Sequence, residues 1–408
     1  MTTDPAVDLN AFDEIVIRQR GILGIASTTT LDLSLPNVTL AGAGYSVVDI
    51  MADDSLAYPA NWVISNVTVY AEGVSKPLGD LTVAATGILS HRPNLKVDEY
   101  KMDLVIAGDL TVRAGGSITT MGHGFYSYSG PGYSVNEEQG GAHGGVGGWN
   151  NNNTGTKPAN ARTYGSILNP TQIGSGGQYS GGGAILIQVG GTTTVESGAS
   201  ITSQGIQAGN RAGGSGGSVN LRTGSLVGSG AINAKGGGNY CGAGGRVAVA
   251  LTAGDFTGWT GNISAYGFGT QGGAGTVYLA DAGTPAEAGQ VVVDNNNQTP
   301  WSAAIYTPLP AFAASTEDLK HTQWLVRNKG SLKLVADAMV QSFDMQSLSY
   351  LNLAGFTLVV DSMSINGDNV PAGDYAATAP ELGTGYVRDS VGGGSIVVRG
   401  RATLLLLR

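Results

Sequence analysis

The chain has 408 residues, 66 of them glycine, more than twice the globular average of roughly 7%. Glycine at that density lowers helix propensity throughout, because a bare backbone has more freedom to lose on ordering, and it excludes a mostly helical protein. The glycines lack the three-residue period of collagen, the 41% hydrophobic content excludes simple disorder, and 21 Lys+Arg against 30 Asp+Glu, with no basic run and a net charge of -9, argues against nucleic acid.

The N-terminus, Met1-Thr-Thr-Asp-Pro-Ala-Val-Asp8, has neither a basic n-region nor an apolar h-region, so no signal peptide is expected. Asp8 followed by Leu9, Phe12, Ile15 and Val16 reads as a short amphipathic turn behind an N-cap. Residues 1–60 are expected to form an N-terminal cap or attachment segment. Its purpose would be to cover strand edges that otherwise invite aggregation.

A repeat begins soon afterwards. Gly79-Asp-Leu-Thr-Val83 returns 29 residues later as Gly108-Asp-Leu-Thr-Val112. Four pentads starting at Ile118, Ile201, Ile232 and Ile263 share the pattern Ile, small polar, small, variable, Gly, and the last three start 31 residues apart. A second series begins at Ala184, Ser218, Arg246 and Thr276, with spacings of 34, 28 and 30. Each segment alternates apolar with polar or small residues, the period-2 signature of a strand with one buried face. No helical stretch separates them, which excludes βαβ crossovers. The prediction is an all-β chain, a right-handed parallel β-helix with glycine-rich corners, in which Ile118, Ile201, Ile232 and Ile263 stack inside, one per coil. Glycine suits such corners because it accepts positive φ and lets backbones approach closely.

The β-helix is expected over 61–297, interrupted by an insertion at about 123–183 that carries Gly140-Gly-Ala-His-Gly-Gly145 and the run Asn150–Asn153. Long irregular segments in compact folds are commonly functional. After Asn297 the glycine density falls, and 298–408 is expected to form a C-terminal β extension, either further coils or a subdomain.

Catalytic side chains are sparse. Between 184 and 280 the only acids are Glu196 and Asp255, too few for a two-carboxylate glycosidase or a calcium-dependent lyase. His123 and His143 flank Glu137 and Glu138 without metal-ligand spacing, and a structural role on glycine-rich backbone is the expectation for them. His91 and His321 look isolated and solvated. Cys241 stands alone, with no disulfide partner or redox motif. No cofactor, metal or catalytic residue is assigned. The aromatics of the insertion are more suggestive. Tyr126, Tyr128, Tyr133, Trp149, Tyr164 and Tyr179 fall in one window with Phe125, and such rings act either as stacking platforms for sugars and protein partners or as packing that pins a glycine-rich loop. No run approaches the length of a membrane span, the terminal Thr403-Leu-Leu-Leu-Leu-Arg408 included.

The ordered motifs Gly108-Asp-Leu-Thr-Val112, Gly140-Gly-Ala-His-Gly-Gly145, Tyr164-Gly-Ser166, Gly174-Ser-Gly-Gly177, Gly216-Gly-Ser-Val219, Gly244-Gly-Arg-Val-Ala248 and Gly272-Gly-Ala-Gly-Thr-Val-Tyr278 resemble a glycine-rich parallel β-helix family of bacterial surface and secreted proteins. The segment Asn366-Gly, Pro371-Ala-Gly-Asp-Tyr375 and Gly392-Gly-Gly-Ser-Ile-Val-Val398 is similar to the closing segment of autotransporter-like passengers. The resemblance implies a β-helix and an extracellular setting, and it carries no catalytic residues.

These readings lead to an expectation of a non-enzymatic, elongated extracellular or virion-surface protein, a fibre, spacer or adhesin that meets a surface glycan or cell-envelope partner through its insertion. The alternatives are a polysaccharide-degrading tailspike or lyase and a self-assembling filament subunit that stacks end to end or as a homo-oligomer.

Overall fold

A computed structural model describes residues 61–72, 77–134, 139–148, 162–206, 212–238, 242–268, 272–285, 287–298, 305–312 and 314–400, together with the backbone of four strands between 16 and 50. The protein is all-β: its only helical elements among the described residues are short 3-10 turns at Phe256–Gly258 and Pro380–Leu382. The strands form sheets of 17, 8 and 4 members. Up to the strand Thr276–Ala280 every pairing is parallel. This architecture of long parallel sheets is compatible with a β-solenoid. The strands Val16–Arg18, Ile22–Ile25, Asn37–Ala43 and Val47–Ile50 belong to the same sheets. Of the expected amphipathic turn from Asp8 to Val16, residues 8–15 lie outside the described residues, and Val16 opens the strand Val16–Arg18 instead; Glu137, Glu138, Trp149, the run at 150–153 and Cys241 also lie outside the described residues.

The repeat pairs in the predicted register. Ile118 faces Ile201, Ile201 faces Ile232 and Ile232 faces Ile263 on successive strands of the 8-stranded sheet. The first three are completely buried. In the large sheet Ile185, Val219, Val247 and Val277 form a parallel column. Two further columns, Leu81 with Leu110 and Val83 with Val112, carry the duplicated Asp-Leu-Thr-Val motif. Each column places like beside like because the side-chain period of two matches the inward alternation, so a one-residue slip would turn every member to solvent.

The insertion leaves these columns intact. The strand Ser117–Thr119 pairs directly with Ser200–Thr202, and Met102–Ile106 and Leu110–Val112 pair with the two halves of Ala184–Val195. The chain departs after the strand Ser117–Thr119 and returns at Ala184–Val195, so the hydrogen-bonded ladder runs past the interruption.

Of the two uses expected of glycine, close backbone approach dominates in the glycine-rich runs. The segments 140–148, 174–183, 212–217, 242–245 and 272–275 bond backbone to backbone, as in Gly141 N–H to Gly213 O, Gly182 N–H to Ser215 O, Gly216 N–H to Ala243 O and Gly244 N–H to Gly273 O, all at 2.9–3.0 Å. A Cβ on Gly275 would sit 1.8 Å from the carbonyl oxygen of Gly245, far inside contact distance. Close approach of backbones, more than positive φ, is what the glycine-rich runs permit.

Strand direction reverses once in the middle of the large sheet. Thr276–Ala280 pairs antiparallel with Gln290–Asp294, after which Gln323–Arg327, Ala338–Met345 and Thr357–Ile365 follow in parallel. The buried face changes with it. Val247, Val249, Val277 and Val292 belong to a first core that extends back to Trp62. Their alternating neighbours Ala248, Tyr278, Val291 and Val293 belong to a second core on the other side of the sheet, which continues through Trp324, Phe343 and Leu358 to Val398. The 4-stranded sheet supplies the opposing wall of that second core with Leu309, Leu332, Leu334 and Leu351.

The second stack ends in hairpins. Asn366 and Gly367, with φ of 52° and 88°, form the two-residue turn between Thr357–Ile365 and Asp368–Val370, the positive-φ pair that matches strand twist in tight hairpins. Gly373–Ala376 then lies antiparallel on Ser395–Val398.

Candidate functional site

The insertion is anchored at its neck, in its interior and on its far side. At the neck, His91 is fully buried, in contrast to the solvated position expected from sequence. Its Nδ1 donates to Arg92 O at 2.7 Å and its Nε2 accepts from the Ala184 amide at 3.1 Å. These two bonds define a neutral ring. His123, just past the turn that follows the strand Ser117–Thr119, donates from Nδ1 to His91 O, and the two rings meet edge to face with centroids 5.6 Å apart. Burial, reinforced by the nearby His123 and Lys101, pushes His91 down to about 3.

In the interior, His143 donates from Nδ1 to Gly216 O at 2.9 Å and stacks on Tyr164 with centroids 4.5 Å apart. Burial and the adjacent Arg246 hold it at about 3. His123 and His143 therefore sit in separate environments: His143 fastens glycine-rich backbone through Gly216, as expected, whereas His123 bonds the Ser90–His91 segment. Among the described residues no group of three or more His, Cys, Asp and Glu side chains could hold a metal ion.

Arg246 is the group that sequence reasoning passed over. It lies at the start of a strand in register with Ser218 and Thr276, both buried, and its guanidinium is completely buried. Nε donates to Tyr164 O at 3.0 Å, one terminal nitrogen to Thr276 Oγ1 at 3.0 Å and the other to Ala311 O at 3.5 Å. One side chain thus ties the insertion, the first stack and the start of the second. Burial lowers its pKa to about 10, opposed by Glu317. Glu317 in turn accepts from Ser166 Oγ and from the amides of Ile167 and Leu168 at 2.5–3.0 Å. Ile167, so held, is a fully buried member of the second core. The one sequence clue to Arg246 was a charged residue where its column neighbours carry hydroxyls.

The aromatics divide into inside and outside. Tyr164 is buried, and its hydroxyl bonds Ile173 O at 2.7 Å and Ser175 Oγ at 2.8 Å, so it belongs to the packing of the insertion and not to an exposed face. Burial raises its pKa beyond the ordinary phenol range. Tyr179 is half-buried. Tyr126, Tyr128 and Tyr133 are exposed by 54%, 38% and 38%. Leu95, Val97 and Met121 are exposed too, so that six of the eight exposed large apolar side chains among the described residues come from 95–133. Leu95 and Tyr126 are joined directly, through Tyr126 N–H to Leu95 O at 2.7 Å. Tyr128 has φ of 54°, a left-handed backbone that costs a bulky residue about 1–2 kcal/mol, and it is held there by its amide bond to Gly177 O at 2.8 Å.

The two acids of the repeat are both engaged with the fold. Glu196 accepts from the Ala114 amide at 2.9 Å, and Asp255 caps its 3-10 turn by accepting from Thr257 N and Oγ1 at 2.9 and 2.6 Å. Those bonds hold the Asp255 carboxyl below its usual range. No protein-family model, curated protein or solved structure matches the chain.

Proposed function

We propose that the chain is a right-handed parallel β-solenoid that serves as a non-enzymatic, elongated surface or virion scaffold, and that it contacts a cell-envelope glycan through the exposed face of residues 95–133. The observation that carries the reading is the concentration of exposed apolar side chains on that segment. Contiguous exposed apolar surface on a soluble fold marks interaction sites, and tyrosines add contact area at small rotamer cost. The strained backbone at Tyr128 supports it, because strain in a bulky exposed residue persists where the surroundings hold the side chain for use.

Two arguments support the winding. Parallel crossovers within one sheet are right-handed in about 98% of cases. Strand direction and buried face reverse together between Thr276–Ala280 and Gln290–Asp294 while the sheet continues to grow along one axis, and a solenoid that reverses both keeps its hand.

Retention of the purified chain on bacterial cells and on immobilised envelope polysaccharide tests the function. The double variant Tyr126→Ala, Tyr128→Ala should bind at least about tenfold more weakly with an unchanged thermal midpoint. Equal retention of wild type and variant would remove the aromatic face from the account.

A further inference from the structure

The swap of buried faces leaves each core with an end at the seam, and the two ends are finished differently. The near end of the second core is plugged by the insertion through Ile167 and its Glu317 fastening. The far end of the first core is covered only in part, by Phe256, Trp259, Leu279 and Leu325. Beyond it, the sheet face that was interior becomes exterior, and a cleft of about 960 Å³ opens there. Its lining includes Phe256, Asp281, Gln290, His321, Gln323 and Gln341.

The chemistry of that lining is consistent. Gln290 and Gln323 are direct neighbours on adjacent strands, so their amides repeat at the strand spacing of about 4.8 Å. The strand residue Ser342, next to Gln341, is in turn the neighbour of Gln323. Among the described residues, the side chains of Asp281, Gln290, His321, Gln323 and Gln341 make no hydrogen bond or ion pair within the protein, so this cleft gathers several uncommitted polar groups in one place. No lysine or arginine lines the cleft. Two in-register amides that both donate and accept, with Gln341 beside them, a free carboxylate and the ring of Phe256 match a ligand of closely spaced hydroxyls with apolar C–H faces. The absence of a cationic lining among the described residues disfavours uronates and phosphates.

We infer that this cleft at the seam is a binding site for a neutral oligosaccharide, separate from the aromatic face of the insertion. Ligand sites at the junction of packed units, with a few convergent polar groups, follow the general pattern of pockets.

Calorimetric titration with maltohexaose, cellohexaose and a galacto-oligosaccharide, and with hexagalacturonate as the charged counterpart, tests it. At least one neutral probe should bind the full chain. Gln290→Ala combined with Gln323→Ala, and separately Asp281→Asn, should each weaken it by about tenfold or more at an unchanged thermal midpoint. Gln188→Ala, an exposed glutamine on the strand Ala184–Val195, should bind as wild type does. The inference fails if no neutral probe binds, if hexagalacturonate binds equally well, if the cleft variants match wild type, or if sedimentation shows the cleft occupied by a second copy of the chain.

Discussion

The Nε2 of His91 accepts a hydrogen bond from the amide of Ala184, the residue at which the chain re-enters the ladder after the insertion. A protonated imidazole has no lone pair there, so acid must break this bond. The folded pKa of His91 is about 3 and that of His143 about 3, both depressed by burial from the unfolded value near 6.5.

Between the two pKa values the unfolded chain binds more protons than the folded one, so stability is fully present above about pH 6.5 and falls as the pH drops, by about 1.4 kcal/mol per pH unit for each histidine. Thermal or urea midpoints taken from about pH 7 to pH 4 should decline accordingly. His91→Gln, which keeps an acceptor near the Nε2 position, should flatten the slope. A midpoint independent of pH over that interval contradicts the buried, neutral assignment.

Replacing Glu317 by glutamine leaves at least one of its donors, Ser166 Oγ or the amides of Ile167 and Leu168, without a full partner. The expected loss is about 1–3 kcal/mol. Limited proteolysis should cut first within the insertion, because Glu317 fastens that segment to the second core. Unchanged stability together with an unchanged cleavage pattern would show that Ile167 holds the plug alone.

Two glycines separate the two roles of that residue. Gly275→Ala drives a methyl into the carbonyl of Gly245, whereas Gly254, at φ 72°, has nothing within 4 Å of a Cβ. Gly254→Ala should cost about 1–2 kcal/mol from backbone strain alone, and Gly275→Ala should abolish soluble folded protein. Comparable midpoints for the two would rule out close backbone packing as the reason for the glycine runs.

Within the isoleucine column the cost should be graded. Ile201→Ala removes a fully buried side chain between two others and should destabilise by about 2–5 kcal/mol. Ile263, only partly buried at the edge of the first core, should cost clearly less. Denaturant midpoints decide the order, and equal losses would place Ile263 inside.

The columns were legible because alternation and spacing are properties of the chain itself: Ile118, Ile201, Ile232 and Ile263 carry their register in their intervals. The reversal between Thr276–Ala280 and Gln290–Asp294 was not, because the continuous apolar run Val291-Val-Val293 is buried on both faces and favours neither side of the sheet. The short gap between the two strands, residues 281–289, was the clue, being shorter than the dozen or so residues that a parallel crossover needs. The burial of His91 and Arg246 depends on the insertion folding back over them, a long-range packing event with no local signature. For the same reason the aromatic window could be named but not sorted, since Tyr164 and Tyr126 differ in what covers them and not in their neighbours along the chain.

The proposed contact face is tested most directly by 3-fluorotyrosine labelling and fluorine resonance spectra recorded while envelope polysaccharide is added. The resonances of Tyr126, Tyr128 and Tyr133, assigned by single Tyr→Phe variants, should shift or broaden together. That of Tyr164, whose hydroxyl is bonded inside the insertion, should stay in place. Saturating polysaccharide that leaves all three exposed tyrosines unmoved would contradict the account.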